Sequence, residues 1–147
     1  GLSKLANFQV LHQTGAADVA IVADAYRDAG MKAVVLPYVV DMAGAYAAAD
    51  LVVSRSGATT VAELAVCGKR AVLVPFPFAA DNHQEHNART LAARGAAEGI
   101  LQRELTAEKL AAMIEKYAAA TAPSIQPMAN TAAEEIAGIC RDYVQKN

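Results

Sequence analysis

Short runs of unbroken apolar residues, each followed by a longer amphipathic stretch, constrain the fold of this chain more than any other feature. Ala33-Val34-Val35-Leu36, Leu51-Val52-Val53 and Ala71-Val72-Leu73-Val74 are apolar at every position. A strand with both faces apolar must be covered on both sides, which is the situation of a parallel sheet between two helical layers. The pattern predicts strands over 8–12, 32–37, 51–53, 71–74 and a weaker one over 97–101. Helices are predicted between them over 17–29, 42–49, 60–66 and 82–94, and after them over 106–120 and 130–145. Gly30, Gly68 and Gly95 stand where three of these helices must stop. Thr106 is suited to cap the helix over 106–120, and Pro123 and Pro127 interrupt the pattern beyond it. The fold class is therefore α/β, a doubly wound parallel sheet of about five strands in a single domain over 1–147.

Composition narrows the partners. With 54% apolar and 19% charged residues the chain is rich in core, and its 147 residues suffice to bury one. A net charge of −2 without a run of Lys and Arg argues against nucleic acid, because phosphate contacts need clustered cations. The same absence leaves no polybasic segment for an anionic membrane surface. Residues 1–9 lack the basic and apolar regions of a signal peptide, and no apolar run approaches the roughly 18 residues of a membrane span. Cys67 and Cys140 sit in apolar helical patterns and read as two buried thiols in a reducing compartment. These features together imply a soluble cytoplasmic protein.

In open α/β sheets ligands bind beyond the carboxyl ends of the strands, and three segments follow such ends. After the strand over 51–53 come Ser54-Arg55-Ser56-Gly57-Ala58-Thr59-Thr60-Val61-Ala62-Glu63. Ser56 and Gly57 make a tight turn into a helix, whose free backbone N–H groups attract anionic oxygens; Thr59 and Thr60 add hydroxyls. Glu63, about one turn further in, can accept hydrogen bonds from two vicinal sugar hydroxyls. The plainer alternative is that Thr59 or Thr60 caps the helix while Glu63 complements its dipole, and the residues alone leave both open. After the strand over 71–74 a rigid Pro75-Phe76-Pro77-Phe78 exit leads to the polar run Asp81-Asn82-His83-Gln84, which starts the next helix and whose first residues also suit an N-cap. His83 and His86 are spaced i, i+3, but no second cluster accompanies them, so a metal site is not expected. The third segment, Leu36-Pro37-Tyr38-Val39-Val40-Asp41-Met42, offers extended backbone to the edge of a flat base. A serine hydrolase is disfavoured, because Arg55-Ser56-Gly57 is not a G-x-S-x-G elbow.

Three stretches, VLHQTG (10–15), YVVDMAGAYAAADLVVSRSGATTVAEL (38–64) and VPFPFAADNHQEHNA (74–88), resemble the carboxyl-terminal domain of the MurG family of GT-B glycosyltransferases. That family moves N-acetylglucosamine from UDP-GlcNAc onto lipid I in peptidoglycan synthesis. The resemblance extends over nearly the whole chain. It implies that Val39 presents its backbone to uracil with Met42 beside the base. Ser56, Gly57, Ala58, Thr59 and Thr60 would lie along the diphosphate and ribose, and Glu63 would accept from the ribose hydroxyls. His83 and Gln84 would reach the N-acetylglucosamine hydroxyls.

The implied chemistry is an inverting displacement by a hexosyltransferase, with UDP leaving. Amide groups at a helix start can stabilise that departure. No Asp-x-Asp cluster is present, so neither metal nor cofactor is expected.

The resemblance also implies what is absent: an amino-terminal half with the lipid I site, the membrane-facing patch and the catalytic base, and a first, central strand with its glycine-rich loop. The chain reads as a fragment inactive by itself, with two unpaired strand edges between the strands over 8–12 and 51–53. A neighbouring chain filling that gap, and so self-association, is one expected consequence. Another is that 123–147 crosses back toward the missing half. The parent enzyme is expected as a peripheral protein on the cytoplasmic face of the inner membrane. Two other readings remain: a stand-alone donor-binding subunit of a two-subunit transferase, and a non-catalytic nucleotide-binding module.

Overall fold

The computed structural model describes residues 8–119 and, beyond them, Pro127, Ala129, Thr131, Glu134, Glu135, Ala137 and Arg141. The expectations for residues 1–7, for Cys140 and for most of the segment over 123–147 lie outside the described residues.

Strands and helices alternate as β1 (Gln9–Gln13), α1 (Val19–Asp28), β2 (Lys32–Leu36), α2 (Met42–Ala48), β3 (Val52–Ser54), α3 (Ala58–Val66), β4 (Ala71–Leu73), α4 (His83–Ala92), β5 (Ala97–Gly99) and α5 (Ala107–Ala119). The α/β reading of the sequence holds, and most boundaries fall within one or two residues of it. Gly30 and Gly68 take φ of 67° and 61° immediately beyond α1 and α3, a left-handed turn that costs a glycine little.

All strand pairs are parallel, in two separate sheets. β1 pairs with β2, Leu11 opposite Val34. In the other sheet β4 lies between β3 and β5. Among the described residues no strand joins β1 to β3, so each sheet has an open edge there, as the sequence led us to expect.

Coverage is uneven. Ala71, Val72 and Leu73 of β4 are fully buried, together with Leu64 from α3 and Leu91 from α4. The β1–β2 sheet is covered less: Leu11 is 48% and Val34 57% exposed. The sheet covered on both sides, inferred from the fully apolar runs, is thus realised at β4 and not at β1 or β2.

Helix α5 packs against both sheets through neighbouring stripes. Ala111 and Ile114 join Met31, Phe8, Val10 and Tyr26 beside the first sheet. Leu110, Met113 and Tyr117 pack with Val72, Val74 and Ile100 on the second. The i, i+3 and i+4 spacing of these residues puts the two stripes side by side on one helix.

Cys67 corrects the expectation of two buried thiols: it is exposed. It is the C-cap of α3, one residue past the apolar repeat, and the chain turns away at Gly68. Among the described residues no helix is long and apolar enough to cross a membrane.

Candidate functional site

The turn after β3 is held from two directions. Ser56 is completely buried; its Oγ donates to the carbonyl of Gln84 at 2.8 Å, and its own carbonyl accepts from Asn87 Nδ2 at 3.0 Å. The first turn of α4 therefore fixes the entry into α3. Arg55 reaches the other way, donating from Nη1 to the carbonyls of Val74 and Pro75 at 3.3 Å each and lying 5.6 Å from the Phe76 ring centroid. Ser54 Oγ, at the same strand end, is buried and has no hydrogen-bond partner among the described residues.

Helix α3 begins two residues earlier than the sequence suggests, and Gly57 is its N-cap, in extended backbone at φ −60° and ψ 150°. Among the described residues no side chain caps it. This decides against Thr59 or Thr60 as the cap. The first intrahelical bond runs from Val61 N–H to Gly57 O. The amides of Ala58, Thr59 and Thr60 are thus the unsatisfied donors of the first turn, and Ala58 and Thr59 are exposed. Three aligned donors without a competing carboxylate form an anion-accepting end.

Glu63 lies half-buried in the second turn of α3. Its Oε2 accepts a hydrogen bond from the Tyr46 hydroxyl at 2.8 Å, while Oε1 makes none among the described residues. Tyr46 belongs to α2 and is 6% exposed. Burial first, and then the Glu63 carboxylate as acceptor and charge, push the Tyr46 phenol well above its ordinary range, so it remains a donor.

Helix α2 is fixed at both ends. Asp41 Oδ1 accepts from Gly44 N–H at 2.8 Å at its start. At its end Lys69 Nζ donates to the carbonyls of Ala47 and Ala49 at 3.1 and 2.9 Å, a cation where the helix dipole favours one. Met42 packs against the core cluster that contains Tyr46 and Leu64. Before this helix, Val39 is 8% exposed, and its N–H donates to Gln13 Oε1 at 2.8 Å. The amide half of the backbone edge expected there is engaged by a side chain from β1.

The loop after β4 closes the site. Asp81 and Asn82, in the 3-10 turn Ala80–Asn82, both have positive φ, 49° and 52°, which is unusual for consecutive non-glycine residues. They bring His83 and Gln84 to the start of α4. His83 Nδ1 donates to Ala80 O at 2.7 Å, leaving Nε2 outward, and its side chain is exposed. Gln84 Oε1 accepts from Phe76 N–H at 3.0 Å, so its amide nitrogen is the end left to reach a ligand.

The residues singled out in the sequence therefore fall on the loops before α2 and α3, at the starts of α2, α3 and α4, and, for Glu63, inside α3. Direct contacts join the Ser56 turn to Gln84. Glu63 is joined instead to Tyr46, which the sequence reading missed along with Gln13, Arg55, Lys69 and Asn87. Their signal was modest: all but Lys69 lie inside the stretches already quoted, but a long-range hydrogen bond has no local signature. Among the described residues no group of three His, Cys, Asp or Glu side chains is arranged to hold a metal ion.

Residues 2–142 match the family model described as the glycosyltransferase family 28 C-terminal domain. Over 108 residues the chain is 56% identical to a protein of Thermodesulfovibrio yellowstonii, covering 74% of this chain and 30% of that one. That protein is named UDP-N-acetylglucosamine--N-acetylmuramyl-(pentapeptide) pyrophosphoryl-undecaprenol N-acetylglucosamine transferase. A protein of the same name from Anaeromyxobacter sp. (strain Fw109-5) is 49% identical over 147 aligned residues, covering 93% of this chain and 38% of its own. The crystal structure of Acinetobacter baumannii MurG is similar at a TM-score of 0.71 and 39% identity, over 78% of this chain and 35% of that one. The chain spans about a third of the length of the curated relatives it matches.

Proposed function

This chain belongs to the glycosyltransferase family 28 C-terminal domain family, and we propose that it is the donor-binding half of an inverting N-acetylglucosaminyltransferase that takes UDP-GlcNAc and serves lipid I as acceptor. The observation that carries the reading is the uncapped start of α3 with Glu63 one turn inside it. The names of the relatives supply the donor and acceptor classes.

In this reading the diphosphate lies against the first-turn amides of Ala58, Thr59 and Thr60, beside Gly57 and the Ser56 turn. As the acceptor hydroxyl attacks the anomeric carbon and the bond to the diphosphate breaks, negative charge grows on the leaving oxygens. Amides already aimed at that position stabilise it without reorganising. Glu63 accepts from the ribose hydroxyls. Uracil lies along Val39 and Met42, using the Val39 carbonyl and, where Gln13 gives way, its N–H. His83 Nε2 and the Gln84 amide nitrogen reach the sugar hydroxyls. Acceptor recognition and the base that takes the acceptor proton fall to residues outside this chain, and the whole transferase works at the cytoplasmic membrane face.

Titration calorimetry of the 147-residue chain with UDP-GlcNAc, UDP-galactose and UDP tests the reading. UDP-GlcNAc is expected to bind most tightly, and Glu63→Ala to weaken all three by about tenfold, the worth of a hydrogen bond to a charged group. Equal affinity for the three ligands would remove sugar recognition, and an unaffected Glu63→Ala variant would remove the ribose contact.

A further inference from the structure

We infer that Tyr46 is the positioning residue for ribose recognition, its hydroxyl holding Glu63 so that the second carboxylate oxygen faces the nucleotide. The inference rests on the donor-site reading above and adds to it a residue that touches no ligand.

The geometry has three parts. The hydroxyl donates to Oε2 at 2.8 Å, and Oε1 is left without a partner among the described residues. Glutamate has three side-chain torsions and is half-buried here, so without a partner its carboxylate would sample several directions. One bond at its tip selects among them. The donor itself is immobile, because the Tyr46 ring is 6% exposed within the cluster of Leu64, Leu73 and Leu91. Its helix is pinned by Asp41 at one end and Lys69 at the other. Finally, the donor is constant. A phenol buried beside a carboxylate holds its proton throughout the physiological range, so the hydroxyl stays a donor to Glu63.

The arrangement also connects two ends of the ligand. Met42 and Tyr46 are i, i+4 on α2 and share one face. The helix that begins beside the base therefore ends on the group that reads the ribose.

The alternative is a clasp that merely joins α2 to α3. The two differ in what they do to ligands with and without ribose hydroxyls. The test compares UDP with 2′,3′-dideoxy-UDP by calorimetry on the full chain, with a thermal melt of each variant. Wild type is expected to prefer UDP by about tenfold or more. Tyr46→Phe keeps the buried ring and removes only the oxygen; it is expected to shrink that preference by about three- to tenfold while leaving dideoxy affinity within about twofold. Glu63→Gln is expected to abolish the preference, and adding Tyr46→Phe to it to change nothing more. Glu63→Asp draws the carboxylate away from the hydroxyl without touching the ring, and is expected to lose the preference as well. A Tyr46→Phe variant that keeps the wild-type preference, or weakens both ligands equally, overturns the inference in favour of the clasp. If Glu63→Gln itself leaves the preference intact, the ribose contact of the donor-site reading fails first, and the positioning role falls with it.

Discussion

The two sheets of this molecule share direction and connectivity yet differ in how they are held. The β3–β4–β5 sheet has a central strand with no exposed residue and helices α3 and α4 packed over Leu64, Leu73 and Leu91. The β1–β2 sheet has no central strand, and its facing pair Leu11 and Val34 is about half exposed. The difference runs through the candidate site. The Ser56 turn, Glu63 and Gln84 are mounted on the well-packed sheet. The backbone at Val39 follows the thinly covered one and is restrained from it by Gln13. Under the function proposed above, the firm scaffolding stands under the turn that meets the diphosphate and the looser scaffolding beside the base.

The largest effect that would break this comparison is in the core. Leu73→Ala is expected to cost about 2–5 kcal/mol in urea denaturation, whereas Val34→Ala, at a position 57% exposed, is expected to cost about 0.5 kcal/mol or less. Similar costs for the two would show the sheets to be equally covered. A smaller effect sharpens the link between the rigid half and the site. Ser56→Ala removes the buried bond to Gln84 O and is expected to cost about 1 kcal/mol and to weaken UDP binding, both read from the same sample by melting and calorimetry.

The smallest effect is alkaline. The Tyr46 and Tyr26 phenols are both raised by burial, Tyr46 further by Glu63. A phenol raised in the folded state gives its full stabilisation below the unfolded value of about 10. Above that pH the unfolded chain sheds its proton while the folded one keeps it, so stability falls. Denaturation followed between about pH 9 and 11.5 should show this decline, with Tyr46→Phe flattening it more than Tyr26→Phe. The reverse order would place the more strongly desolvated phenol on the other sheet.

Much of this fold was legible because its signals are local. The runs at 33–36 and 71–74 could be little else but strands, and Gly30 and Gly68 stop their helices where a left-handed residue is needed. The start of α3 was misread because a Thr-Thr pair imitates a cap; the actual cap, Gly57, has no side chain to announce it. Cys67 was misassigned since an apolar repeat does not reveal which of its members lies past the last turn. The site was legible as a set of loops but not as a circuit. The bonds from Tyr46 to Glu63 and from Ser56 to Gln84 span 17 and 28 residues, and no periodicity encodes a contact at such separation.

Helix α5 lies on neither ligand-facing loop, yet it leans on both sheets at once, with Ala111 and Ile114 on one side and Leu110, Met113 and Tyr117 on the other. It serves as a ruler. Under the function proposed above, five side chains that would never meet the nucleotide tie the sheet beside the base to the sheet beside the diphosphate. Widening the helix at Ala111 would re-gauge the whole socket from behind.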